Sequence, residues 1–124
     1  MCSREVRVTL PPMIEVPTIE VAQVPDPVPE GVTVLDVREP IEWRHGRIDG
    51  SMHIPLTQLP DRANELPVGQ QLLVVCKIGS RSSQATAFLR EKGHEAINLA
   101  GGLLEWVEAG RPMVADEGDD PLVV

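Results

Sequence analysis

The order of apolar and polar residues along the chain predicts strands that alternate with helices. Residues 32–37 and 72–75 are continuous apolar runs of strand length, which is typical of strands covered on both faces. Residues 96–99 form a third run, and residues 51–55 form a shorter one that ends at a proline. Residues 18–24 are rich in β-formers and are followed by closely spaced prolines. All five stretches are therefore predicted to be extended.

Apolar residues at spacings of three and four predict helices between these stretches. The predicted helices are residues 40–44, residues 59–66, the stretch with Ala85, Phe88 and Leu89, and the stretch with Leu103, Trp106 and Val107. Gly93 and Gly110 stand where helices end. Phe88 and Trp106 are predicted to lie in the core. Strands that alternate with helices indicate an α/β fold with a mostly parallel sheet.

The chain is predicted to form one domain with a segment at each end. Its 124 residues suit a single core that needs neither disulfide nor metal. Residues 1–16 alternate weakly and contain a Pro-Pro pair, so we predict an arm or an extra edge strand there. Residues 17–114 are the predicted domain. Residues 115–124 are acidic and are predicted to be a flexible tail.

Charge and hydropathy narrow the function classes. The chain has 11 basic and 19 acidic residues and a net charge of −8, which argues against nucleic-acid binding. It lacks the run of about 18 apolar residues that a membrane span needs, and it does not open with a secretory signal. We therefore expect a cytoplasmic monomer with neither nucleic acid nor membrane among its partners.

Two cysteines leave one candidate for chemistry. Cys2 lies in the terminal arm and Cys76 follows an apolar run, so a disulfide between them is a poor prediction. The three histidines stand singly and no C-x-x-C motif exists, so we expect no metal site and no cofactor. A cysteine after a strand is more often an inert core residue. The cations beside Cys76 favour a reactive thiol instead.

The turn after residues 72–75 is built to hold an anion. Ligands of α/β sheets bind beyond the carboxyl ends of strands, and the amides that open the next helix favour negative charge. These amides, together with the nearby cations Lys77 and Arg81, predict a lowered pKa for the Cys76 thiol. The residues predicted to hold the sulfur and one more anionic group are Lys77, Ile78, Gly79, Ser80, Arg81 and Ser82. Gly79 allows the backbone to turn its amides inward.

The segment from Cys76 to Ser82 resembles the active-site loop of rhodanese-like domains, the thiosulfate:cyanide sulfurtransferase family. Three further stretches are similar to that family in the same order: residues 34–39 to its LDVRE strand end, residues 46–55 to GHIPGAINIP, and residues 99–112 to LxGGxxxW…GxP. The resemblance extends from about Thr18 to Val114. Arg47 stands where the family has His, and Asp49 where it has Pro.

This resemblance implies a parallel sheet of about five strands with helices on both faces. It also implies that the Cys76 thiolate takes the outer sulfur of thiosulfate as a persulfide and that cyanide or a thiol then removes it. The amides from Ile78 to Ser82 would hold the persulfide, and Lys77 and Arg81 would bind the sulfonate end of the donor. A protein could also be the sulfur donor or acceptor.

Asp36 and Arg38 end the neighbouring strand. We predict that they pair behind the loop and support it without touching the substrate. For Trp43, Arg44 and Arg47 two alternatives stay open: a rim beside the loop, or a solvated surface with one packed indole.

Two other classes of function remain. The first is a phosphatase or arsenate reductase. The active-site loop of such enzymes has five residues between its Cys and its Arg. Here only four residues separate Cys76 from Arg81, so the loop makes a smaller cradle. The second is a non-catalytic binding or sulfur-carrier module that keeps the fold.

Overall fold

A computed structural model describes residues 16–124, so the predicted arm at residues 1–16, with Cys2, lies outside the described residues except for Val16. The centre is a sheet of five strands in the order β1-β5-β4-β2-β3, and all neighbours run parallel. The strands are β1 (Thr18–Ile19), β2 (Val32–Asp36), β3 (Met52–His53), β4 (Gln71–Val75) and β5 (Glu95–Leu99). The predicted parallel α/β sheet is confirmed, and the two strongest apolar runs, β2 and β4, are adjacent in it.

The described residues form four α-helices: α1 (Pro40–His45), α2 (Leu59–Arg62), α3 (Ser80–Glu91) and α4 (Gly102–Glu108). The first three lie between successive strands from β2 to β5, and α4 follows β5. Short 3-10 helices cover Val21–Gln23, Leu56–Gln58, Ala63–Glu65 and Asp116–Gly118. The predicted helix at residues 59–66 is therefore split between α2 and a 3-10 turn. The longest helix, α3, has 12 residues. Within the described part of the chain, no helix combines the length and apolarity needed to cross a membrane.

The core has one layer on each face of the sheet. Because successive strand residues point to opposite faces, Val74 packs with Leu89 of α3 while Val75 packs with Trp106 of α4. Trp106 is buried as predicted, whereas Phe88 is only partly buried at the edge of the first layer. Helices on both faces leave the carboxyl edge of the sheet for the loops, and Cys76 lies at that edge.

The acidic C-terminal segment, residues 115–124, follows a defined path beside α1. Asp116 accepts a hydrogen bond from Arg47 at 2.7 Å, and the Leu122 amide donates to the carbonyl of His45 at 2.7 Å. The flexibility expected of this segment stays a prediction, but its contacts place it against the carboxyl end of α1.

Candidate active site

Cys76 is the first residue after β4, and its sulfur lies inside the turn that leads into α3. Gly79 has a φ of +111°, which reverses the chain so that α3 begins at Ser80. The Gly79 amide donates a hydrogen bond to Cys76 Sγ at 3.0 Å, and Ser82 Oγ lies 3.3 Å from the same sulfur. The loop therefore places an amide donor and a hydroxyl against the sulfur.

The start of α4 holds the other side of this loop. The Leu103 amide donates to the carbonyl of Cys76 at 2.9 Å, and the Leu104 amide donates to the carbonyl of Lys77 at 3.1 Å. Gly102 packs so closely here that a Cβ would lie 2.6 Å from the Cys76 carbonyl oxygen and nearer still to that of Lys77. Two amides that open a helix thus bind both carbonyls and leave the amides of the loop for the sulfur.

Cys76 has no exposed surface, but its sulfur is not sealed in hydrocarbon. Burial raises the pKa of the thiol and is the largest single influence on it. The hydroxyl of Ser82 and the amides of Ser82, Gly79 and Ile78 lower it, and together they prevail, so the pKa of Cys76 lies below its ordinary value. Hydrogen bonds from the loop are therefore the main stabilisation of the Cys76 thiolate.

The Arg81 guanidinium is paired with a carboxylate that the sequence analysis did not assign. Its Nη1 and Nη2 bind Oε1 and Oε2 of Glu42 at 2.7 and 2.9 Å. This pair lowers the pKa of Glu42 and raises that of Arg81, to which the Cys76 thiolate adds a smaller effect. The sequence analysis attributed the lowered thiol pKa jointly to the loop amides and to the cations Lys77 and Arg81. In the structure Glu42 is paired with Arg81, and the groups that lower the pKa of Cys76 are the hydrogen-bond donors of the loop.

Asp36 and Arg38 form the predicted pair, with no exposed side-chain surface on either partner and Nη2 2.7 Å from Oδ2. Arg38 also donates to the carbonyls of Gly46 at 2.6 Å and Glu42 at 3.4 Å. A buried guanidinium that is fully paired fixes the groups around it, because losing a partner would leave a buried charge. Arg38 thus ties β2 to α1, whose Glu42 holds Arg81. Its role as a support of the loop stays a prediction.

The predicted binding residues on the outer side of the loop lie open to solvent. Ile78 is 57% exposed, Ser80 is exposed and Lys77 is partly exposed. Within residues 16–124 the side chains of Lys77 and Ser80 form no hydrogen bond or ion pair, so both are available to a ligand. Their contact with substrate stays a prediction.

Trp43 and Arg47 pack against each other, whereas Arg44 is exposed. The Trp43 indole stacks on the His53 ring with centroids 4.6 Å apart, and the Arg47 guanidinium carbon lies 4.9 Å from the Trp43 ring centroid. Arg47 is also held by Asp116, and Arg44 is exposed. These contacts favour a packed surface for Trp43 and Arg47.

Three residues that contact the Cys76–Ser82 loop were missed by the sequence analysis as members of the site. They are Glu42, Gly102 and Asn98, whose side-chain oxygen accepts a hydrogen bond from Ser82 at 2.5 Å. Asn98 had a usable signal, because it is a polar residue within the buried apolar run of β5. A buried amide needs a partner, and Ser82 supplies it.

A pH profile of alkylation tests the thiol. We expect Cys76 to react with iodoacetamide at a rate that follows its thiolate fraction, with a midpoint below that of free cysteine, because its pKa is lowered. Thiolate then persists below the ordinary pKa and is lost as the pH falls through the lowered one. Mass spectrometry of the peptide that contains Cys76 separates it from Cys2. A midpoint at or above that of free cysteine would contradict the account.

Known proteins are similar to this chain in sequence and in fold. The family model described as Rhodanese-like domain matches residues 21–109. The chain is 37% identical over 90 residues to a protein named Sulfurtransferase from Allochromatium vinosum, covering 72% of this chain and 84% of that one. It is 36% identical over 78 residues to the putative sulfur carrier protein YrkF of Bacillus subtilis, covering 62% of this chain and 42% of that one.

A solved structure is similar over almost its whole length. The crystal structure of a rhodanese-related protein from Thermoplasma volcanium superposes with a TM-score of 0.76 at 34% identity. The match covers 81% of this chain and 99% of that one.

Proposed function

This chain belongs to the rhodanese-like domain family, and from that premise we propose that it is a sulfurtransferase whose Cys76 carries the transferred sulfur as a persulfide. The observation that carries the proposal is the sulfur's environment: an amide donor at 3.0 Å, a hydroxyl at 3.3 Å and a pKa below the ordinary value for a thiol. Relatives named as a sulfurtransferase and as a putative sulfur carrier support the same chemistry.

We propose thiosulfate as the donor, because the resemblance to rhodanese-like domains implies it. The Cys76 thiolate attacks the outer sulfur, the S–S bond of thiosulfate breaks, and sulfite leaves with the electron pair of that bond. In the second half-reaction a thiol or cyanide attacks the terminal sulfur of the persulfide, which restores the thiolate and releases the new persulfide or thiocyanate. No external oxidant or reductant is needed, since the sulfane sulfur passes between nucleophiles. The loop amides stabilise the anion at each stage.

Lys77 is the better candidate to bind the sulfonate end of the donor. It is partly exposed beside the cysteine, whereas a donor must compete with Glu42 for Arg81. Because Cys76 exposes no surface, the donor sulfur reaches Sγ only when the loop opens locally. We infer that the exposed side of the loop, from Lys77 to Ser80, is the part that moves.

Incubation with a panel of donors tests the proposal. Thiosulfate is expected to add the mass of one sulfur to the peptide that contains Cys76, and a reductant is expected to remove it. Subsequent cyanide should release thiocyanate if the protein is a catalyst, whereas a pure carrier would keep the adduct until a protein acceptor is supplied. Mercaptopyruvate is the alternative donor, and an aryl phosphate is the negative control. Absence of a labile adduct with every donor, or phosphate release without sulfur transfer, would overturn the assignment.

A further inference from the structure

The Ser82 hydroxyl lies between the reactive sulfur and a buried amide. Its Oγ is 3.3 Å from Cys76 Sγ and 2.5 Å from Asn98 Oδ1. Ser82 has no exposed surface and Asn98 is 7% exposed, so solvent does not supply alternative partners. The three side chains therefore form a chain of hydrogen bonds whose direction depends on where its hydrogens are.

A count of donors assigns the observed arrangement to the protonated thiol. A serine hydroxyl has one hydrogen, and an amide oxygen can only accept, so Ser82 donates to Asn98. The lone pairs of Ser82 then face the sulfur and can only accept from the S–H of Cys76. This arrangement satisfies the S–H of Cys76, the hydroxyl of Ser82 and Oδ1 of Asn98 while the sulfur carries its proton.

The thiolate needs the opposite arrangement. A thiolate cannot donate, so the hydroxyl must turn its hydrogen toward Sγ to stabilise the charge. Asn98 Oδ1 would then face a lone pair of Ser82 at close range. Rotation of the amide about its terminal bond replaces that contact with a hydrogen bond from Nδ2 to Ser82 Oγ. Oxygen and nitrogen of an amide have nearly the same shape, so the rotation needs no new space.

The surroundings of Asn98 leave the amide free to rotate in this way. The backbone of Asn98 is fixed, since its backbone N–H donates to the carbonyl of Pro17 at 2.8 Å and β5 pairs with a strand on each side. Within residues 16–124 the side-chain Nδ2 has no acceptor, so the rotation breaks no other hydrogen bond.

On the basis of the proposed function, we propose that Asn98 is a positioning residue whose amide accepts from Ser82 when Cys76 is a thiol and donates to Ser82 when Cys76 is a thiolate. The only covalent bond that breaks is S–H, and its proton passes to a base in solution. In the thiolate form each hydrogen bond of the chain polarises the next, which strengthens the contact with the sulfur. Asn98 thus acts on the nucleophile through Ser82 without touching the substrate.

NMR of the unmodified protein tests the rotation directly. We expect one side-chain N–H resonance of Asn98 to move downfield as the pH rises, with the same midpoint as the Cβ carbon of Cys76, because that N–H gains a hydrogen bond. The movement is expected to vanish in Ser82→Ala, which retains the ionisable thiol. An Asn98 resonance that stays constant through the titration of Cys76, or that moves equally without Ser82, overturns the proposal.

A pair of variants gives a second, independent readout. Asn98→Asp keeps the shape but supplies a carboxylate that holds the Ser82 hydrogen, so the midpoint of Cys76 alkylation should rise by about one unit or more. The negative charge of the new carboxylate contributes part of this shift by itself. The double variant Ser82→Ala with Asn98→Asp, compared with Ser82→Ala alone, measures that part. A smaller shift without Ser82 supports the proposal, and equal shifts overturn it. Neither readout depends on sulfur transfer, so a failed donor panel would leave these results interpretable.

Discussion

Replacing Cys76 with serine is expected to reduce sulfur transfer by at least about a thousandfold, because removing a nucleophile removes the covalent step itself. A serine hydroxyl is nearly the same shape as a thiol and can keep the hydrogen bonds with Gly79 and Ser82. Its oxygen, however, is scarcely ionised at neutral pH and forms no persulfide. The rate of thiocyanate formation from thiosulfate and cyanide measures the loss.

Two controls separate this chemical effect from damage to the fold. Cys2→Ser removes the other thiol and is expected to leave the rate unchanged. The thermal midpoint of Cys76→Ser should stay within a few degrees of that of the parent, since the slightly smaller hydroxyl still finds hydrogen-bonding partners in Gly79 and Ser82. Full transfer activity in Cys76→Ser would refute the persulfide mechanism, and a labile sulfur adduct elsewhere in that variant would identify the true carrier.

The sheet could be predicted because its strongest signals are local. The apolar runs of β2 and β4 are continuous, which is the mark of central parallel strands covered on both faces. The end of α2 could not be predicted from the same pattern. Leu59, Ala63 and Leu66 fit one helical face, but a short helix can pass into i→i+3 hydrogen bonding without moving its apolar residues. The periodicity therefore predicted which face of residues 59–66 is buried, but not the change from α-helix to 3-10 helix after Arg62.

The loop at Cys76 could be predicted for a similar reason. A thiol directly after a buried strand and before a helix lies at the carboxyl edge of the sheet whatever else the fold does. Its partners Glu42 and Asn98 are separated from Arg81 and Ser82 by 39 and 16 positions, so tertiary packing alone brings them together. The sequence showed the cations but not the carboxylate that neutralises one of them. The amide donors of the loop could therefore be predicted from the sequence, whereas the pairing of Arg81 with Glu42 could not.

Substitution of Gly102 by alanine is expected both to lower the stability of the protein and to disturb the loop around Cys76. Gly102 has a φ of +59°, which costs an L side chain about 1–2 kcal/mol. The added Cβ would also lie 2.6 Å from the Cys76 carbonyl oxygen, with backbone rather than a flexible side chain in its way. Forcing atoms into such a contact adds about 1–3 kcal/mol, so the free energy of unfolding should fall by roughly 2–5 kcal/mol.

The matched control is Gly110→Ala at the other end of α4. Gly110 has a similar φ of +77°, but a Cβ there would meet nothing within 4 Å, so only the backbone cost of about 1–2 kcal/mol applies. Denaturant unfolding of the two variants isolates the steric effect. Because the carbonyls of Cys76 and Lys77 are bound by the first amides of α4, only Gly102→Ala should also raise the pKa of the thiol and slow sulfur transfer. Equal effects of the two substitutions on stability and on Cys76 alkylation would show that the close contact with α4 does not hold the loop in place.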